Sequence, residues 1–107
     1  MIASLTASAL RIPFRTTFRH ASAVRDTTQA IWVEARSGDG LSGYGEGCPR
    51  EYVTGEDLAG ARAFLEAWDE DLRRSVTDVG SLRDWVAGHA AIIDRHPAAW
   101  TAAECAI

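Results

Sequence analysis

Three glycines at alternate positions, Gly43, Gly45 and Gly47, with Tyr44 and Glu46 between them, constrain this chain more than any other stretch. A period of two marks a strand, in which successive side chains point to opposite faces. Here one of those faces is bare backbone. Glycine weakens a strand unless something packs closely on that face. The expectation is a neighbouring element or domain pressed against residues 43–47. The same stretch divides the chain, because the pattern is β before it and helical after it.

Ile2 to Phe14 reads as a long first strand, with Leu10, Ile12 and Phe14 alternating with Arg11, Pro13 and Arg15. Pro13 lacks an N–H and belongs at a strand end or on an edge. From Arg15 to Asp26 the alternation stops, which predicts a polar loop of about ten residues, long enough to carry function. Thr28 to Arg36 is the clearest strand, with Ile31, Val33 and Ala35 on one face and Trp32, Glu34 and Arg36 on the other. Ser37-Gly38-Asp39-Gly40 is a tight turn, and Leu41 to Glu46 is a third strand. The three strands make an antiparallel meander. Cys48 to Val53 is a second loop.

Helices follow. Thr54, with Asp57 three residues on, predicts a helix start. Leu58, Ala61, Leu65, Trp68 and Leu72 then recur at spacings of three and four, an amphipathic stripe. Val79-Gly80 breaks it, Ser81 caps a second helix bearing Leu82, Trp85, Val86 and His89, and His96-Pro97 opens a third. Ala99, Ala103, Ala106 and Ile107 line one side of that third helix, which shows no stop signal; it is expected to continue or to dock on something absent. The fold class is α+β: a three-stranded antiparallel meander followed by a bundle of about three helices.

Charge and composition exclude several functions. The net charge is −4 and the eleven basic residues are scattered, which argues against nucleic acid or an anionic membrane surface as partner. All eleven are arginine, and arginine stays protonated, so no mechanism that needs a lysine runs on these residues alone. Cys48 and Cys105 form neither a disulfide framework nor a metal spacing, which points to reduced thiols in a cytoplasm; Cys48 reads as a small, at least half-buried filler. No signal peptide and no membrane-length apolar run is legible. His20, His89 and His96 lack paired ligand spacing, and Asp69-Glu70-Asp71 reads as a solvated face, so no metal site is expected. His89 falls on an apolar stripe and reads as a packed side chain. His20 sits in the first loop beside Arg19 and Arg25, where it reads either as an exposed polar group or as a donor to an anionic ligand.

Topology joins the two loops. In a meander, the loops after strands one and three leave the same end of the sheet. Phe18, Arg19 and His20 are thereby expected to face one pocket with Arg50, Glu51, Tyr52 and Val53, the rings giving shape and the cations meeting a carboxylate.

Ile12-Pro13-Phe14-Arg15, Arg25, Ile31-Trp32-Val33, Gly40-Leu41-Ser42-Gly43-Tyr44-Gly45-Glu46 and Tyr52-Val53-Thr54-Gly55-Glu56 together resemble the N-terminal capping domain of the enolase superfamily. The resemblance is nearest the muconate cycloisomerase and dipeptide epimerase branches of the mandelate racemase and muconate lactonizing enzyme group. Ala102-Ala103-Glu104-Cys105-Ala106-Ile107 resembles the helix that leads into the barrel. The resemblance implies that residues 1–107 are a cap, truncated before a (β/α) barrel. That barrel would carry the Mg²⁺ ligands and the bases that take a proton α to a carboxylate. This chain would then hold no cofactor and no catalytic residue. Thr16–Ala23 and Cys48–Val53 would be the substrate-facing loops, with Phe18, Arg19, His20, Arg50, Glu51 and Tyr52 touching a small carboxylate substrate in an oligomeric parent enzyme. The glycine face and the alanine helix would pack on the barrel. The alternative is a free-standing α+β interaction module without enzymatic activity.

Overall fold

The computed structural model describes residues 1–21 and 23–107. Its elements in chain order are β1 (Ile2–Leu10), β2 (Pro13–His20), β3 (Ala23–Thr27), β4 (Ala30–Ser37), β5 (Ser42–Gly47), α1 (Glu51–Thr54), α2 (Leu58–Ser75), α3 (Val79–Gly88), α4 (Ala90–Arg95) and α5 (Pro97–Ala106). The architecture is α+β. An antiparallel sheet runs in the order β1-β4-β5, and the helices follow it in the chain.

The first strand is shorter than its alternation implied, and the segment expected to be a loop is mostly strand. β2 and β3 form a separate antiparallel hairpin inserted between two strands of the meander. Phe18 faces Arg25 and Arg19 faces Val24 across it, with an irregular register between Pro13 and Phe18. Almost every β2 residue is exposed, so no buried face imposes a period of two on the sequence. Polar bonds hold its base: the Thr28 N–H donates to the Ile12 carbonyl at 2.8 Å, and the Ile12 N–H donates to Thr28 Oγ1 at 2.7 Å. Ser22, in the expected loop, lies outside the described residues.

β4 is the centre of the core. Ile31, Val33 and Ala35 are buried, as the alternation implied, and α2 covers them with Ala61, Phe64, Leu65 and Leu72. Aromatic rings close the helical side. Trp85 stacks on Trp100 at 4.9 Å and on His89 at 3.9 Å, and its indole N–H donates to Asp71 Oδ2 at 2.6 Å. Burying the Trp85 ring without stranding its N–H requires such an acceptor.

The bare face of β5 meets α5 of the same chain. A Cβ built on Gly43, Gly45 or Gly47 would lie 2.0, 1.9 or 2.0 Å from the carbonyl oxygens of Ala106, Ala102 and Ala98 respectively. Two strand residues advance about 6.7 Å and four helical residues about 6.0 Å. The glycines and alanines therefore keep step as α5 runs antiparallel to β5. This corrects the expectation that these two surfaces wait for an absent partner: each covers the other, and Ala99, Ala102, Ala103 and Ala106 are all buried.

Two helix starts also differ. Asp57, not Thr54, caps α2 by accepting from the Gly60 N–H at 2.6 Å. Asp78 caps α3 in a reciprocal box with Ser81, so Val79 and Gly80 open that helix where a break was expected. Pro97 opens α5 as its chemistry implied. The helical part has five helices, because α1 forms within the second expected loop and α4 follows a break at His89.

Candidate functional site

Hairpin β2–β3 and helix α1 meet at one end of the molecule. Alternation along β2 puts Phe18 and His20 on the same side, ring centroids 5.4 Å apart and edge to face. The α1 turn closes when the Val53 and Thr54 N–H groups donate to the Arg50 carbonyl at 3.0 and 2.9 Å. That turn presents Tyr52 to His20, with 5.0 Å between ring centroids. Phe18, His20 and Tyr52 thus form a row of three rings drawn from both expected loops. Phe18 is 52% exposed and Tyr52 43%, so the row has a solvent face. Val53 is exposed beside the row, as the topology anticipated, whereas Val24, exposed as well, pairs with Arg19 on the other face of the hairpin.

Arg50 Nη1 donates to the Gln29 carbonyl at 2.8 Å and to the Pro49 carbonyl at 2.9 Å, so backbone acceptors hold one end of its guanidinium. Arg25 lies over the Phe14 ring at 5.5 Å and donates to the Thr27 carbonyl at 3.2 Å. Arg19 points away from Phe18 and His20 by strand alternation. Glu51 is exposed in the first turn of α1. The arrangement offers an apolar, aromatic surface with His20 at its centre, suited to an apolar or aromatic group on a ligand.

The other two histidines are accounted for. His89 Nδ1 donates to the Trp85 carbonyl at 2.7 Å, and His96 stacks on Phe64 at 5.0 Å. Cys48 is exposed, contrary to the filler reading, because it follows the last β5 residue where the chain leaves the sheet; Cys105 is exposed as well. Among the described residues, no group of three or more His, Cys, Asp or Glu side chains is arranged to hold a metal ion, and no helix is long and apolar enough to cross a membrane.

A cleft of about 410 Å³ lies at the opposite end of the sheet, between Met1, Ile2, Leu41, Val79, Leu82 and Ile107. Its charged side chains are already engaged, Arg36 with Glu34 at 2.7 Å and Asp78 with Ser81. A binding site needs polar groups that converge on a ligand. The aromatic row is the better candidate, because it joins side chains from both expected loops around His20.

No protein-family model matches the chain. Individual proteins do. The hydrophobic dipeptide epimerase of Citrifermentans bemidjiense is 32% identical over 77 residues, which are 72% of this chain and 21% of that protein. A dipeptide epimerase from Methylococcus capsulatus, solved with Mg and the dipeptide L-Arg-D-Lys, superposes with a TM-score of 0.79 at 30% identity, over 98% of this chain and 29% of its own. The L-Ala-D/L-Glu epimerase of Bacillus subtilis superposes with a TM-score of 0.83 at 18% identity, a likeness of fold alone. The chain spans between a fifth and a third of the length of these relatives.

Proposed function

We propose, for a chain whose homologues are dipeptide epimerases of the enolase superfamily, that it is the substrate-capping domain of such an enzyme. Its partner is a (β/α) barrel, joined to it or supplied separately. The reaction is removal and return of a proton on the carbon next to a carboxylate, and the substrate is a small carboxylate of the dipeptide kind. The observation that carries this reading is the ring row Phe18–His20–Tyr52, built from the two segments that the capping resemblance makes substrate-facing. Half-exposed rings favour a hydrophobic side chain on the dipeptide, because burying it between them removes apolar surface from water.

In this reading the base for that proton comes from the barrel. This chain has no lysine, and His89 and His96 are packed or hydrogen-bonded within the helical part. In this reading the family's Mg²⁺ belongs to the barrel, and no step through it runs on this chain. What the cap contributes is exclusion of water and selection of the substrate side chain. A cytoplasmic, oligomeric parent enzyme fits this reading.

A chimera tests it. This chain replaces the matching residues of the Citrifermentans bemidjiense epimerase. Exchange of the α-hydrogen for deuterium is then followed on hydrophobic dipeptides in D₂O. The expected result is exchange by the chimera and none by this chain alone. A folded, Mg-loaded chimera without exchange sinks the capping reading.

A further inference from the structure

Glu56 is the buried charged residue among the described side chains, at 6% exposure. Its carboxylate accepts from the Ala98 N–H with both oxygens at 3.1 Å and from the Ala99 N–H at 3.3 Å. These are first-turn donors of α5, which have no partner within their helix and carry its positive dipole end. The local cap position, His96, makes no side-chain cap bond. A carboxylate some forty residues away in the chain therefore caps α5.

One bond of Glu56 points elsewhere. The Thr54 hydroxyl donates to Glu56 Oε1 at 2.7 Å, and Thr54 is the last residue of α1. Gly55 between them sits at φ 76, a left-handed conformation that lets the chain reverse and sends Glu56 inward. The other end of α1 is tied as well, through the Arg50 bond to the Gln29 carbonyl, where the hairpin rejoins the sheet. Between these ties α1 has four residues and no buried side chain. A helix that short has no stability of its own, since nucleation is unfavourable and nothing is buried to offset it.

We propose that Arg50 and Glu56 are positioning residues: together they clamp α1 so that the Tyr52 ring stays opposite His20. Arg50 links α1 to the base of the hairpin, and Glu56, through Thr54, links it to the helix that packs on β5. The two substrate-facing segments are thereby held to each other and to the core. The purpose assigned to the clamp rests on the capping reading above; the clamp itself is measured without substrate.

The test is amide hydrogen exchange and ring-to-ring NMR cross-peaks in Thr54→Val and Arg50→Ala, with Arg50→Lys as the conservative variant. Thr54→Val removes the link from α1 to Glu56 and leaves the cap on α5 in place, so the fold is preserved. The expected result is exchange of the Thr54 and Gly55 amides faster by about tenfold, the effect of one charge-assisted bond. The Tyr52–His20 cross-peaks weaken, while the Ala98 and Ala99 amides and the melting temperature hold. Arg50→Ala gives the same signature from the other end, and Arg50→Lys restores part of it. If both disruptive variants leave the α1 amides and the cross-peaks unchanged, Glu56 is only a helix cap and the proposal falls. An inactive chimera would sink the capping function and leave the clamp standing. In an active chimera, Thr54→Val raises KM several-fold at unchanged kcat; an unchanged KM despite a lost ring contact overturns the purpose assigned to the clamp.

Discussion

The two hairpins of this chain are held by opposite means. In β4–β5 one face is buried against α2 and α5, and the approach of α5 is so close that three glycines have no room for a side chain. In β2–β3 the strands pack chiefly on each other, tied to the body by bonds at the base and by the His20–Tyr52 contact near the tip. The first is built by exclusion of water from apolar surface, which is worth about 25 cal/mol per Å². The second leaves Phe18 and Val24 in water, where they are available to something else. Together they teach that one short chain can separate a closely packed platform from a presenting surface.

Filling the β5 face should have the largest effect. In Gly45→Ala the new methyl group would fall 1.9 Å from the Ala102 carbonyl oxygen. Helix α5 must then move off the sheet, at a cost of about 3 kcal/mol or more. Gly38→Ala is the control, because nothing lies within 4 Å of its Cβ position; it should stay within about 0.5 kcal/mol. Thermal denaturation of both decides the matter, and equal melting temperatures would show that close packing does not hold this hairpin.

Truncating the presenting surface should separate stability from function. Phe18→Ala removes a half-exposed ring. Its effect on denaturant unfolding should stay under about 1 kcal/mol. In the chimera its KM for hydrophobic dipeptides should rise about tenfold, as one lost ring contact implies. A loss of stability as large as that of Gly45→Ala would make the second hairpin part of the core and erase the distinction.

The smallest effect is a pH dependence confined to surface turns. The Ser37 hydroxyl, in the β4–β5 turn, holds the Asp39 carboxyl below its usual range. The Ser81 backbone N–H, then its hydroxyl, does the same to Asp78 at the start of α3. A carboxyl lowered in the folded state stabilises fully above its unfolded value, near 4, and that contribution is lost as pH falls through the folded value. The melting temperature should therefore decline gently below about pH 4. Asp78→Asn, which still caps but does not titrate, should make the decline shallower. An unchanged slope would mean that the cap contributes nothing through its charge.

Much of the scaffold was legible beforehand. Ile31, Val33 and Ala35 alternate because one side of β4 is buried, and Leu65 and Leu72 recur at helical spacing because α2 covers that side. The β2–β3 hairpin was not legible as strands, since β2 is exposed almost throughout and the half-buried face of β3, Ala23, Arg25 and Thr27, has no large apolar side chain to mark a period. At the candidate site, topology anticipated that Phe18 and His20 would share an end with Tyr52. It did not anticipate that Arg50 donates to the Gln29 carbonyl. A backbone acceptor has no residue type to betray it, so no pattern search would have found that bond.

What the sequence determined by itself was local and periodic: which faces of β4 and α2 turn inward, that β5 has a bare side, and that Pro97 opens a helix. What the tertiary structure alone decided was who meets whom. It chose the chain's own α5 to cover the glycines, Asp71 to take the Trp85 N–H, and Glu56 to cap a helix far along the chain. The reason is that burial imposes its period on consecutive residues. A hydrogen bond or close approach between distant ones depends on where the backbone returns, and that is fixed only once the whole core has closed.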